Sequence, residues 1–161
     1  MKISLDLDAA YYQLMLQDVA LSISEDEIGT DWWTEEDQER LLSAKFNERL
    51  VVIGTFRDNV VPVAIEIFTS EPNFDSGTWD QISECSLETH TGDIYIMGNF
   101  DYLPERKKYY LGFLLAGVRV YYGGLKTIDD MGINGNDNYM IHLWPIKKKI
   151  DLRVIKQRPL I

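Results

Sequence analysis

The segment RLVVIGTFRDNVVPVAIEIF, residues 49–68, decides the fold class because two apolar runs flank a short polar link. Both runs are rich in Val and Ile, β-branched residues that pack well on a pleated strand. The sequence therefore predicts strands over Arg49–Phe56 and Val60–Phe68. Asp58 and Asn59 lie in the link and tolerate positive φ, so we expect a tight hairpin between the two strands.

Alternation of apolar and polar residues extends the strand prediction to most of the chain. Pro62 cannot donate a ladder hydrogen bond, which places the start of its strand at an edge or a bulge. Gly112 and Gly117 predict a bend or bulge within a strand over Tyr109–Tyr122. Further strands are expected over residues 2–8, 11–17, 19–24, 81–87, 93–97 and 139–144, with a short last strand over 152–155. About nine strands predict a mainly β fold, either an antiparallel β-sandwich or a flattened barrel.

One short helix is predicted to follow Thr34, which can act as its N-cap. Asp37 lies three residues further on, close to the pattern of a capping box. Glu35 and Glu36 fall in the first turn, where carboxylates complement the helix dipole. We expect the helix to end near Lys45.

Length and composition predict a single domain over residues 1–161, with a basic C-terminal extension from about Lys147. The net charge is −10, and residues 145–161 hold six basic groups and one acidic group. The rest of the chain therefore repels phosphate, which argues against direct binding of nucleic acid. We expect the basic extension to lie against the acidic body, although it could also contact anions.

The sequence predicts a cytoplasmic protein that is not attached to a membrane. The first residues, MKISLDLDAA, lack the apolar run of a signal peptide. The longest apolar run, residues 109–118, is too short to span a bilayer. A single cysteine, Cys85, excludes an internal disulfide and is typical of a reducing compartment.

Motifs for catalysis or metal binding are not recognisable in the sequence. His90, His142 and Cys85 are not at ligand spacing, which argues against a structural zinc site. We expect Cys85 to be a small buried core residue and His142 to be partly buried with its polar atoms satisfied. The loop Asp129–Asn138 fails the calcium-loop pattern because Ile141 would take the bidentate position, so we expect an ordinary turn. We therefore predict no catalytic residues, no cofactor, no metal and no enzyme activity.

The segment SEDEIGTDWWTEEDQER, residues 24–40, is the strongest candidate for a binding surface. Eight of its seventeen residues are Asp or Glu, and only Arg40 is basic. Trp32 and Trp33 are adjacent, so we expect one to pack inward and the other to lie near the surface. An exposed tryptophan ringed by carboxylates suits a basic protein partner. The predicted partner-binding residues are Glu25, Asp26, Glu27, Asp31, Trp32, Trp33, Glu35, Glu36 and Asp37. A solvated helix start with two core tryptophans is the alternative.

The order of several segments is similar to that in the bacterial competence-J (ComJ) nuclease-inhibitor family. The resembling segments are YYQLML (11–16), DWWTEE (31–36), GVRVYY (117–122) and DNYMIHLW (137–144), with a hydrophobic strand pair between the second and the third. Members are small cytoplasmic proteins that neutralise a cognate DNA nuclease. The resemblance implies the same activity here and no catalytic residues, whereas the greater length and the basic tail depart from the family pattern.

Charge and resemblance together predict an acidic inhibitor or immunity-type protein that binds and occludes a basic partner, foremost a nuclease. Two alternatives remain open. A small-ligand or carbohydrate-binding sandwich would use some of the aromatic residues Tyr102, Tyr109, Tyr121, Tyr122 and Trp144 as stacking surfaces. A hydrolase would use a pair of carboxylates, although no spacing singles out a pair.

Overall fold

The computed structural model describes residues 1–23, 32–75, 77–98 and 106–159, which form two β-sheets and one short α-helix. The strands are β1 Lys2–Asp8, β2 Gln13–Asp18, β3 Leu42–Lys45, β4 Leu50–Gly54, β5 Val60–Ile67, β6 Gln81–Glu88, β7 Asp93–Gly98, β8 Lys108–Tyr110, β9 Leu115–Gly123, β10 Asn138–Pro145 and β11 Arg153–Lys156. Helix α1 is Glu35–Arg40, and single 3₁₀ turns cover Ala10–Tyr12 and Leu125–Thr127.

The six-stranded sheet has the order β1-β5-β10-β9-β6-β11, and the five-stranded sheet has the order β3-β4-β2-β7-β8. This confirms the mainly β fold with one short helix. The flattened barrel is wrong because the strands form two separate sheets, and the described residues contain eleven strands rather than about nine. The purely antiparallel expectation is also wrong, since β5 and β10 pair in parallel.

Both sheets contribute to one hydrophobic core. Leu14 and Ile53 come from the five-stranded sheet, and Ile65, Val118 and Ile141 come from the six-stranded sheet. Each of these side chains is buried, and burial of one such side chain stabilises a fold by about 1.5–3 kcal/mol. The shared core fixes which face of each strand can be exposed, and it therefore positions the surface features described below.

The predicted hairpin between β4 and β5 is wrong, because the two strands belong to different sheets. The chain also changes sheets between β1 and β2, and the two crossings lie side by side. Ala9 N–H donates to the Asn59 carbonyl over 2.9 Å, and Thr55 N–H donates to the Tyr12 carbonyl over 2.8 Å. The polar link after β4 therefore pairs with the neighbouring crossing. Turn chemistry in the sequence cannot distinguish this from a hairpin.

Two more of the predicted strands differ from the structure. Residues 19–23 form a turn and an irregular segment, and residue 24 lies outside the described residues. The predicted strand Tyr109–Tyr122 is divided into β8 and β9, with Gly112 at φ +85° in the link. Gly117 lies inside β9 and faces the Trp144 ring, so it serves close packing and makes no break.

Pro62 occupies the kind of position expected for it. It lies opposite Asp6 of β1, and the register of β5 with β10 begins only at Val63. Because Pro62 lies past the end of the pairing with β10, the sheet loses no ladder hydrogen bond there.

Helix α1 ends at Arg40, five residues before the predicted end. Leu41 takes the left-handed conformation at φ 54°, and its side chain is fully buried in the core. Its carbonyl accepts hydrogen bonds from Gly54 N–H and from the Tyr122 hydroxyl. The core contact and the two hydrogen bonds hold a residue that is uncommon in this conformation. The sequence alone does not show them.

The basic C-terminal segment lies against the rest of the chain, as expected. Strand β11 pairs with β6, and Arg153 donates twice to Glu84 Oε1, over 3.1 and 2.8 Å. Lys156 Nζ donates to the Trp79 carbonyl over 2.6 Å. Lys149 Nζ lies 3.8 Å from a carboxylate oxygen of Glu88. The positive charges of this segment are therefore largely used within the molecule.

Candidate functional site

The start of α1 contains the predicted capping box. Thr34 Oγ1 accepts from Asp37 N–H over 3.1 Å, and Asp37 Oδ2 accepts from Thr34 N–H over 3.0 Å. Arg40 Nη2 donates to Asp37 Oδ1 over 2.8 Å. Burial raises the pKa of Asp37, but the hydrogen bonds from Thr34, Arg40 and Ser43 and the charge of Lys45 together outweigh it and leave the pKa below its usual value. Only 5% of Asp37 is exposed, so this carboxylate builds the helix start.

The other acidic residues of α1 point outward. Glu35, Glu36 and Glu39 are exposed, and their carboxylates have no ion-pair partner within the part of the chain that the structure describes. Glu25, Asp26, Glu27 and Asp31 lie outside the described residues. The described part of the acidic segment therefore presents free negative charge at one helix terminus.

Trp32 and Trp33 are both half-buried, so the expected division into one inner and one outer ring is not observed. Trp32 Nε1 donates to Gln13 Oε1 over 3.3 Å, and Lys45 Nζ lies 4.9 Å from its ring centroid. Trp33 Nε1 donates to Gln38 Oε1 over 2.8 Å. Both indole N–H groups are satisfied within the chain, and both rings keep an exposed part beside α1.

A pair of tyrosines missed by sequence reasoning lies beside the tryptophans. Tyr11 and Tyr12 were predicted to begin a strand, but they lie in the 3₁₀ turn, with φ of 55° and 65°. Tyr11 is 67% exposed, and Tyr12 is also exposed. Both line a cavity of about 280 Å³ together with Trp33 and Gln38. The available signal was the adjacent YY itself, since alternation cannot place two neighbouring aromatic rings on one buried face.

Among the described residues, the aromatic side chains expected to stack on a carbohydrate do not form an exposed surface. Tyr121, Tyr122 and Trp144 are buried on the central strands β9 and β10, and Tyr109 is half-buried. Tyr102 lies outside the described residues. The stacking platform expected from these residues is therefore wrong for the four that the structure describes.

Residues that could support catalysis or metal binding are kept apart. Cys85 is buried in the core, and burial raises the pKa of its thiol. Its register partner is Val118, whereas the register partner of His142 is Arg119, so Cys85 and His142 face opposite sides of the six-stranded sheet. His90 is exposed. Among the described residues, no three His, Cys, Asp or Glu side chains are grouped so that they could hold a metal ion.

His142 is more buried than the sequence suggested. Its ring lies edge-on to Phe68 and Tyr121, at centroid distances of 4.9 and 5.0 Å. Nδ1 has no hydrogen-bond partner among the described residues, so the expected full satisfaction of its polar atoms is not observed. Burial lowers the pKa of this imidazole.

The loop Asp129–Asn138, between the second 3₁₀ turn and β10, is stabilised by the turn hydrogen bonds that were expected. Asp129 accepts hydrogen bonds from Ile133 N–H over 2.9 Å and from Asn134 N–H over 3.3 Å. The Ile133 N–H bond is the largest cause of a lowered pKa for Asp129. The carboxylate thus organises the turn.

No helix among the described residues is long and apolar enough to cross a membrane.

Similarity to known proteins lies in the fold. No protein family and no curated protein matches the sequence. The fold resembles that of ComJ. The crystal structure of ComJ, the inhibitor of the DNA-degrading activity of NucA from Bacillus subtilis, matches with a TM-score of 0.63 at 14% identity, over 91% of this chain and 96% of that chain. A structure described as crocagin biosynthetic gene J matches with a TM-score of 0.58 at 16% identity, over the same shares. These likenesses confirm the resemblance inferred from the sequence.

Proposed function

We propose that this chain is an inhibitor or immunity-type protein that binds a basic nuclease and occludes its DNA-binding surface. The observation that carries the proposal is the group of outward carboxylates on α1 beside partly exposed aromatic rings, on a fold similar to ComJ. Opposite charge speeds association of two proteins, and aromatic residues supply much of the binding energy at an interface.

The proposed contact surface follows the acidic segment. Glu25, Asp26, Glu27, Asp31, Glu35 and Glu36 supply the negative charge, and Trp32 and Trp33 supply apolar anchors. Asp37 belongs to the surface only indirectly, because its carboxylate is engaged by Thr34 and Arg40. We propose that it positions the neighbouring glutamates.

The mechanism is steric and electrostatic, and it needs no catalytic residue, cofactor or metal. A chain with net charge −10 is repelled by DNA, so we propose that it reaches the nuclease and makes no direct contact with the nucleic acid. We also propose that the protein acts in the bacterial cytoplasm without membrane attachment, and the resemblance of its fold to ComJ supports this. We infer that the two sheets form a β-sandwich that acts as a rigid support.

The experiment that tests this function measures DNA degradation by two nucleases, NucA and the nuclease encoded nearest to the gene of this chain. We expect this chain to abolish degradation by at least one of them at about equimolar concentration, and we expect the inhibition to weaken as salt is added. A DNA mobility assay with this chain alone is the control for direct nucleic-acid binding. Unchanged degradation by both nucleases at a large molar excess would overturn the proposal, as would a shift of the DNA by this chain.

A further inference from the structure

A larger groove adjoins the aromatic cavity beside α1. Its volume is about 560 Å³, and Tyr12 and Phe56 line both cavities. The rest of its apolar lining comes from the second 3₁₀ turn, the loop that follows it, and the C-terminal segment, through Leu125, Ile128, Met131 and Pro159. Met131 is 73% exposed. Five separate segments of the chain, counting Asp80, thus converge on one open, largely apolar depression.

The wall formed by Tyr12 is held in an uncommon backbone conformation. Tyr12 N–H donates to the Ala9 carbonyl over 2.8 Å, and the Tyr12 carbonyl accepts from Thr55 N–H over 2.8 Å. Tyr11 N–H donates to Asp58 Oδ1 over 3.1 Å. Two consecutive tyrosines with positive φ are strained, and such strain persists where surrounding contacts fix it, often at binding sites. The rings are therefore presented without a large loss of backbone freedom on binding.

Another part of the lining already accommodates a guanidinium group. Arg158 lies over the Phe56 ring at 5.1 Å. It donates to Gln81 Oε1 over 2.5 Å, to the Glu39 carbonyl over 2.9 Å and to the Gln38 carbonyl over 3.1 Å. This cation is held by an aromatic face and neutral oxygens, with no carboxylate partner among the described residues. Because Arg158 and Lys126 add positive charge, a further cation depends on the aspartates that also line the groove.

Charge around the groove favours a cationic occupant. Asp80, Asp129 and Asp130 line it, against Lys126 and Arg158. Helix α1, which contains Glu35 and Glu36, lies beside this groove. Its Gln38 lines the smaller cavity, and that cavity shares Tyr12 and Phe56 with the groove. The negative potential of the helix start and that of the groove rim therefore reinforce each other along one face.

We propose that the groove receives an exposed loop of the basic nuclease partner, with an arginine or lysine beside an apolar residue. This inference rests on the proposed function. The apolar side chain packs against Met131 and Ile128, and the cation lies over the Tyr12 ring and near the aspartates. The groove would form the centre of the interface, and α1 would form its charged rim.

The first test replaces an exposed apolar side chain by a charge that repels the proposed occupant. The probe is the nuclease that the parent chain inhibits, made catalytically inactive, and the affinity is measured by titration calorimetry. Met131→Arg should weaken binding by about tenfold or more, as expected for loss of an interface hot spot. The matched control is Leu114→Arg, because Leu114 is also exposed. Leu114 lies just before β9, and the groove turn lies just after β9. The nine-residue strand therefore separates Leu114 from the groove turn by roughly 30 Å.

The second test reverses one charge at the groove. Asp130→Lys should weaken binding several-fold, and it should do so mainly through slower association. Asp151→Lys is the control, because Asp151 is exposed and lies away from the groove. Its neighbour Ile150 donates its N–H to Ser86 Oγ, and Ser86 pairs with the start of β9, whereas the groove turn follows the end of β9. A circular dichroism melt of each variant checks that the fold is retained.

The outcomes separate this inference from the function on which it rests. If neither nuclease binds the parent chain, the proposed function is overturned, and this inference with it. If the parent binds but Met131→Arg and Asp130→Lys bind as tightly as their controls, the groove inference alone is overturned. A third variant lacks Leu160 and Ile161, and its binding of a hydrophobic dye is measured without nuclease present. If this variant binds the dye more strongly than the parent does, but binds the nuclease equally well, the occupant of the groove is the terminus of the chain itself. That result also overturns the groove inference.

Discussion

Two charged regions of the molecule use their carboxylates in opposite ways. Glu84 lies in the six-stranded sheet, where Arg119 Nε donates to Oε2 over 2.6 Å and Arg153 donates to Oε1. Arg119 is only 2% exposed and also lies over the Phe74 ring at 3.9 Å. Glu35 and Glu36, in contrast, are exposed at the start of α1. The first region uses its charge to hold the fold together, and the second leaves its charge exposed to solvent.

The largest expected effect comes from breaking the buried ion pair. Glu84→Gln removes the charge that compensates Arg119, and an uncompensated buried charge destabilises a protein by about 3–5 kcal/mol. Urea unfolding followed by tryptophan fluorescence measures the change. The control is Glu36→Gln, for which we expect a change within about 0.5 kcal/mol because the side chain is exposed. Equal unfolding midpoints for the two variants would remove the distinction between the regions.

A smaller effect on stability is expected at Asp37. It lies in the acidic segment of the sequence, but its carboxylate is buried and paired, like that of Glu84. Asp37→Ala removes the acceptor for Thr34 N–H and for Arg40, and we expect a loss of about 1–2 kcal/mol in the free energy of unfolding. Glu35→Ala is the matched control, with a loss below about 0.5 kcal/mol. If both variants melt together, the capping box contributes nothing measurable.

The same variant has a pH dependence that follows from the lowered pKa of Asp37. A carboxyl group whose pKa is lower in the folded state stabilises that state above its unfolded pKa of about 3.9. The stabilisation is lost as the pH falls through the folded pKa. The difference in unfolding free energy between the parent and Asp37→Ala should therefore be full near neutral pH and shrink below about pH 4.

Sequence reasoning succeeded where one short segment contains the whole cause. The capping box needs only Thr34 and Asp37, and both hydrogen bonds are present. The burial of Cys85 was predicted too, although β6 is buried on both faces and does not alternate in exposure. The early end of α1 could not be predicted, because the core site of Leu41 is built partly by Gly54 and Tyr122, which are distant in the sequence.

The candidate site depends even more on such distant contacts. The acidic residues of α1 and the capping box were visible in the sequence, but the burial of Asp37 and its bond to Arg40 were seen only in the structure. The exposed pair Tyr11 and Tyr12 looked like the start of a strand. The chain bends there because it crosses between the sheets, and this crossing is held by hydrogen bonds to the link after β4, which is distant in the sequence. A single sequence shows which residues carry charge and aromatic rings, and only the packed sheets show which of them share a face.

The smallest effect on stability, and the sharpest test of the comparison, concerns the two free glutamates. Glu35→Gln with Glu36→Gln should leave the unfolding free energy nearly unchanged, because neither side chain has an ion-pair partner among the described residues. Association with the inhibited nuclease should slow several-fold at low salt, since long-range attraction acts mainly on the rate of association. The slope of that rate against salt concentration should also become flatter.

The control for this pair carries the same change of net charge elsewhere on the surface. Glu71→Gln with Asp151→Asn neutralises two exposed carboxylates outside α1. Stopped-flow fluorescence of the two double variants, each at several salt concentrations, separates a local effect from a general one. If the control slows association as much as the α1 variant does, the attraction comes from the net charge of −10, and the start of α1 is only a solvated helix terminus. If only the α1 variant slows it, the free charges of this region act as the local attractor that the buried carboxylate of Glu84 cannot be.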